Sequence, residues 1–291
     1  MEQTAATRPV DRAAYPFDSK WMALRSGQMH YVDEGHGDSI LFVHGTPTWS
    51  FEWRHLIGAL RGSYRCIAPD HIGFGLSDRP HDPPYTPEWH AGNLREFVER
   101  LNPGPLTLVV HDFGGPIALP IALRQPGLVT RLVIINSWMW SFTADREMRL
   151  RAKVAGGALG RFLYRWANLS LRAIMPSAYG DRRLLTPAIH QQYLDRFPDR
   201  WSRGAVLWPL ARALLRSAGF YDSLWAERAT LADCPTLVVW GMKDAAFRPA
   251  QLTRWREALP GARVVELAEA GHWPHEEAPD EVAAAMIGFL A

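Results

Sequence analysis

Leu108-Val109-Val110-His111-Asp112-Phe113-Gly114-Gly115-Pro116 is the stretch that decides the fold. An apolar run ends on two polar residues, two glycines follow, and the pattern predicts a buried strand that turns sharply into a helix. The glycines allow close backbone approach, and the first helical turn directs free N–H groups at whatever occupies the bend. Residue 112 is thereby displayed at the top of a sheet. The better-known form of this turn places a serine between two glycines; here Asp112 holds the position, Val110 stands two residues before it, and no G-x-S-x-G occurs elsewhere. Taken alone, Asp112 also suits a helix N-cap or a metal ligand at a strand end.

Around this turn, short β-rich apolar runs alternate with helix-patterned segments, which builds a mostly parallel sheet with helices on both faces. Strands are expected at 39–43, 64–68, 106–110, 131–135 and 236–240, with 19–25 and 28–33 as an antiparallel start and 263–267 as the last, eight in all. Residues 52–61, 88–101, 115–124, 249–258 and 280–290 carry apolar residues at three-to-four spacing and form the covering layer. Between about Trp138 and Trp225 the alternation stops. Long helical patterns rich in Arg and aromatics run there without a strand, so 138–225 reads as an inserted helical cap, with 1–137 and 226–291 as the core domain. The Pro-rich stretch 80–87 reads as a loop before a helix, and Gly156-Gly157-Ala158-Leu159-Gly160 follows no strand, so it reads as a turn of the insertion rather than a phosphate loop.

Two further residues fall where Asp112 needs partners. Asp244 follows the strand 236–240, and His272 follows the next one. Open α/β sheets gather ligands at the carboxyl ends of their strands, so residues far apart in sequence converge there. The loop His44-Gly45-Thr46-Pro47 follows strand 39–43 and can bring the Thr46 N–H to face Asp112; if Asp112 acts as a nucleophile, that N–H and the N–H of Phe113 would form an oxyanion hole. His44 is expected to order that loop, and His275 to be a surface or packing residue.

The chain has 291 residues, 47% of them hydrophobic, which suffices for one large α/β domain with an insertion. Its net charge of +2 gives no overall field that would favour nucleic acid or an anionic membrane. Cys66 and Cys234 are expected to be unpaired thiols of a reducing compartment. No early apolar segment follows a basic start and no run of 18 apolar residues occurs, so a soluble, cytoplasmic protein is expected, monomeric or homodimeric. No Cys/His or HExxH cluster calls for a metal, and no cofactor is expected.

The sequence resembles the haloalkane dehalogenase branch of the α/β-hydrolases over almost its whole length. HGTPTWSFEWRHL at 44–56, YRCIAPDHIGFGLSDRP at 64–80, VVHDFGGPIAL at 109–119, VVWGMKD at 238–244 and GHW at 271–273 carry the likeness. It implies an α/β-hydrolase fold, with Asp112 as nucleophile, His272 as base and Asp244 as supporting acid. An acid after the late strand, rather than after strand 131–135, is closer to the first and third subfamilies than to the second. Two positions depart from the pattern. Dehalogenases usually carry Trp after the nucleophile, as a halide donor, where this chain has Phe113, and many carry Asn where it has Thr46. Phe113 has no side-chain donor and Thr46 only a hydroxyl.

Trp138, Trp140 and Trp166 are the candidates to line the substrate or leaving-group pocket instead. The leaving group stays open between a halide, an epoxide oxygen and a β-lactone. Tyr164, Tyr179, Tyr193 and Tyr221 bear on the epoxide alternative, in which two cap tyrosines protonate the opening ring. A ligand-binding receptor on this fold is the alternative from another class. The expected partner is a small apolar substrate, attacked by Asp112 to give an alkyl ester that His272-activated water hydrolyses.

Overall fold

The computed structural model describes residues 9–125 and 127–291. Eight strands form one sheet in the order β1-β2-β4-β3-β5-β6-β7-β8. They are β1 Lys20–Leu24, β2 Gly27–Glu34, β3 Ser39–Val43, β4 Arg65–Pro69, β5 Leu106–Asp112, β6 Val129–Ser137, β7 Thr236–Gly241 and β8 Arg263–Leu267. β1 and β2 are a hairpin, and β2 joins β4 antiparallel. All later pairings are parallel.

Sequence dictates this layering. Every residue of β3, β5 and β7 is buried, as continuous apolar runs must be when helices cover both faces. The cover is α1 Arg54–Leu60, α2 Pro87–Leu101, α3 Gly114–Arg124 and the helices Pro249–Ala258 and Pro279–Leu290. α1 packs with Pro279–Leu290, and α2 packs with α3. Helix α2 starts where its sequence says it should: Thr86 caps the first turn by accepting from the Trp89 N–H, and Pro87 occupies a position that needs no donor. It ends at Asn102 in the left-handed region.

Among the described residues no strand lies between β6 and β7. This stretch holds α4 Arg146–Ala155, α5 Ala158–Ala167 and the helices Met175–Ala178, Pro187–Leu194, Trp208–Arg216 and Ala218–Ala226. Two wide π turns, Ser170–Ile174 and Arg203–Leu207, interrupt them. Cys66, in β4, and Cys234, just before β7, are both free thiols.

Candidate active site

β5 ends at Asp112, whose φ of +48° lies in the left-handed region that non-glycine residues avoid. Pairing with β6 slips between His111 and Asp112, so the chain leaves the ladder there and lifts the side chain above the sheet. Surroundings over-determine this strained turn, as such strain requires. Ser137 Oγ donates to the Asp112 carbonyl at 2.6 Å. Gly114 runs against the Val43 carbonyl and Gly115 against Ser137 Oγ, closer than any Cβ would allow. Phe113 is the N-cap residue of α3, which sets the positive end of that helix beside the carboxylate.

The three chemistry-bearing residues meet. The Thr46 N–H donates to Asp112 Oδ1 at 2.9 Å. The other oxygen, Oδ2, lies 3.5 Å from His272 Nε2. On the far side of the ring, His272 Nδ1 is 2.7 Å from Asp244 Oδ2. An ionised carboxylate only accepts, so Nδ1 carries the proton and, in the neutral ring, Nε2 presents its lone pair toward Asp112.

Asp244 is buried yet held ionised. Its Oδ1 accepts the N–H groups of Ala246 at 2.7 Å and Phe247 at 3.0 Å, and its Oδ2 accepts from Asn136 Nδ2 at 2.8 Å. Burial pushes this carboxyl up, but His272 and these donors outweigh it and the pKa falls below the usual range. Burial likewise opposes charge on His272. Asp244 and Asp112 overcome that and lift the ring to about 10. The backbone of His272 is pinned from two directions: its N–H donates to the Ala178 carbonyl, and its own carbonyl accepts from His111 Nε2, both at 2.8 Å.

The HGTP loop is ordered by its histidine. His44 Nδ1 bonds the Gly45 carbonyl at 2.7 Å, while Nε2 accepts the His71 N–H at 3.0 Å. Neighbouring Asp70, in the second resemblance stretch, is buried and accepts from the N–H groups of Ser50 and Leu76 and from His30.

A cavity of about 540 Å³ opens above Asp112 and His272. Its wall is mostly apolar and includes Phe113, Met148, Leu163, Tyr164, Ile174 and Trp273. Trp138, Trp140 and Trp166 are not in it, which corrects the expectation that they line the pocket. Trp138 turns into the layer beneath, edge-on to Phe113 at 4.7 Å and stacked on Phe247 at 4.8 Å. Trp140 packs at the flank against Trp225 and Trp255. Trp166 lies on the outside of α5, 54% exposed.

The four tyrosines divide. Tyr179 and Tyr193 both bond Glu276, which also pairs with Arg54, so they belong to a buried ionic cluster. Tyr164 lines the cavity; burial lifts its hydroxyl to about 12, with the Asp112 charge adding to the rise. Tyr221 is buried and senses Asp112 as well, but is not in the wall.

Several residues that shape the site are not singled out by the sequence reading, although Trp273, Glu52 and His111 lie within the stretches that carry the resemblance. Asn136, with φ +33° at the end of β6, bridges Asp244 and Gly241. Trp273 faces His272 edge-on at 4.5 Å, and its Nε1–H has no hydrogen-bond partner among the described residues. Beneath the site, Glu52 sits fully buried with Oε1 3.3 Å from His111 Nδ1 and Oε2 3.9 Å from His275 Nε2. Among the described residues these three form the group whose ligand atoms, all within 4.8 Å of one another, are close enough to share a cation. His275 is therefore an interior residue, stacked on Trp53 at 4.5 Å.

Residues 38–279 match the alpha/beta hydrolase fold family. The chain is 37% identical over 280 residues to haloalkane dehalogenase 2 of Mycobacterium tuberculosis, covering 95% of this chain and 96% of the relative. It is 33% identical to a cis-3-alkyl-4-alkyloxetan-2-one decarboxylase of Shewanella oneidensis, over 94% of this chain and 89% of that one. A solved haloalkane dehalogenase from Agrobacterium tumefaciens superposes with a TM-score of 0.86 at 25% identity, over 97% and 99% of the two chains.

Proposed function

The chain belongs to the α/β-hydrolase fold family and to its haloalkane dehalogenase-like branch, and on that premise we propose that Asp112 forms a covalent alkyl ester with a small apolar electrophile. The observation that carries the reading is the arrangement of one carboxylate, with Thr46 N–H on Oδ1 and His272 at Oδ2, at the floor of an apolar cavity.

A carboxylate needs no base before attacking a saturated carbon. Oδ2 of Asp112 displaces the leaving group, and the new C–O bond converts the anion into a neutral ester. That change reaches His272. Part of what raises its pKa is the hydrogen bond and the charge of Asp112, and both go when the ester forms. The ring then gives up its proton more readily, becoming the base that the second step needs. Water, deprotonated at Nε2, attacks the carboxyl carbon, and the Thr46 and Phe113 N–H groups hold the oxyanion. Asp244 stabilises the imidazolium until collapse of the intermediate releases the alcohol and restores Asp112. Residues 138–225 are read as the cap that closes the cavity from above.

A second reading rests on Tyr164. Its hydroxyl lies in the cavity wall, where burial and the Asp112 charge keep it protonated, so it donates a hydrogen bond to an oxirane oxygen and passes its proton on once attack has neutralised Asp112. Turnover of a primary bromoalkane, an alkyl oxirane and a dialkyl β-lactone separates the cases. Release of bromide supports the dehalogenase reading; consumption of only the oxirane or only the lactone replaces it.

A further inference from the structure

Charge and apolar surface are distributed unevenly over this protein. The whole chain carries a net charge of only +2. Residues 146–174 contain Arg146, Arg149, Arg151, Lys153, Arg161, Arg165 and Arg172 against a single acid, Glu147. That acid is already engaged by Arg151 and Arg248. The same segment holds six of the nine large apolar side chains exposed among the described residues: Leu150, Val154, Leu159, Phe162, Trp166 and Ile174. Single exposed apolar residues are ordinary, whereas a concentration of this kind marks an interaction surface.

The geometry of the patch is specific. Leu159, Phe162 and Trp166 recur at three-to-four spacing along α5, with Phe162 and Trp166 stacked at 6.2 Å. On α4, Leu150 and Val154 are one turn apart, and both line the cavity, as does Ile174. Three of the six exposed apolar residues, Leu150, Val154 and Ile174, thus belong to the cavity's lining as well. Arg146 stands one turn before Leu150, and Lys153 lies between Leu150 and Val154 in sequence, so charge borders the apolar stripe.

We propose that α4 and α5 dock the protein on an anionic lipid surface, with the mouth of the cavity turned toward the bilayer. Apolar side chains at the level of the headgroups and basic side chains on lipid phosphates are the two contributions such binding needs. A second copy of the chain is a poor occupant, because it would bring one cationic face against another. Apolar substrate dissolved among acyl chains would then enter the cavity without crossing water.

The test is sedimentation of the intact protein with vesicles of phosphatidylcholine, alone or with phosphatidylglycerol added. Binding to the anionic vesicles only, weakened by raised salt, is expected. Arg146→Gln and Lys153→Gln should each weaken it roughly fivefold, and Phe162→Ser should weaken it at unchanged charge, circular dichroism verifying the fold of each variant. Absence of binding, or equal binding to both vesicles with no effect of salt, overturns the proposal. So does a dimer in solution that Phe162→Ser dissociates. Vesicle binding is read without turnover, so its failure leaves the catalytic reading untouched.

Discussion

His272 Nε2 stands 3.5 Å from Asp112 Oδ2, so the base and the nucleophile of the proposed reaction face each other directly across the floor of the cavity. Each therefore controls the other's charge. An anionic Asp112 favours the imidazolium, and an esterified Asp112 favours the neutral ring that activates water.

Asp244→Asn tests the supporting acid. The first of the groups that raise the pKa of His272 is Asp244, so its removal lowers the pKa of the ring and leaves the imidazolium without a counter-charge. Hydrolysis of the ester is expected to slow roughly 10³–10⁴-fold, while ester formation changes far less. Rapid-quench measurement of the two steps checks this; equal slowing of both would show that Asp244 serves mainly to hold the fold.

Stability should follow the same ionisations. His272 is raised from an ordinary 6.5 to about 10 in the folded protein, so its contribution is complete below the ordinary value and is lost as pH climbs through about 10. The Asp244 carboxyl is depressed, so its contribution is present above its ordinary 3.8 and disappears as pH falls through its lowered value. The difference in Tm between wild type and His272→Gln should therefore narrow across the alkaline range. A gap that stays constant from neutral pH to about 10 would contradict the raised ring.

Asn136→Ala removes the amide that ties Asp244 to Gly241. Buried groups left without partners cost about 1–3 kcal/mol, which equilibrium unfolding in urea measures. A turnover loss that deepens as pH falls is expected beside it, since the Asn136 amide helps hold the Asp244 carboxyl below its ordinary value. A stability loss with unaltered turnover would confine Asn136 to structure.

Phe113→Trp supplies an indole N–H next to the nucleophile. Bromide release from a bromoalkane is expected to rise, because no side-chain donor exists at that position now. The larger ring must displace Trp138, 4.7 Å away, so some stability is expected to be lost with it. Unchanged or lower release places halide stabilisation elsewhere; Thr46 Oγ1 and Trp273 Nε1, buried and without partners among the described residues, are then the donors to vary.

The core of this fold was readable because its signals are local. Ser39–Val43 and Arg263–Leu267 coincide with their expected strands, and the turn at Asp112 announces itself through Gly114 and Gly115. Asp244 and His272 were found by strand order, which fixes the edge of the sheet where they emerge. The cavity wall was not readable in the same way. α5 carries apolar residues on more than one face: Tyr164 looks inward, whereas Leu159, Phe162 and Trp166 look out, and periodicity alone does not say which face is covered. Asn136, or the grouping of Glu52 with His111 and His275, depends on distances between separate elements and leaves no pattern along the chain.

The covalent step is tested most directly by His272→Phe, incubated with a bromoalkane and weighed intact. Without its base the ester should persist, giving a mass increase of one alkyl group that peptide mapping places on Asp112 and that His272→Phe/Asp112→Asn does not show. If wild type releases bromide while the variant gains no mass, the nucleophile is not Asp112 and the ester mechanism is wrong.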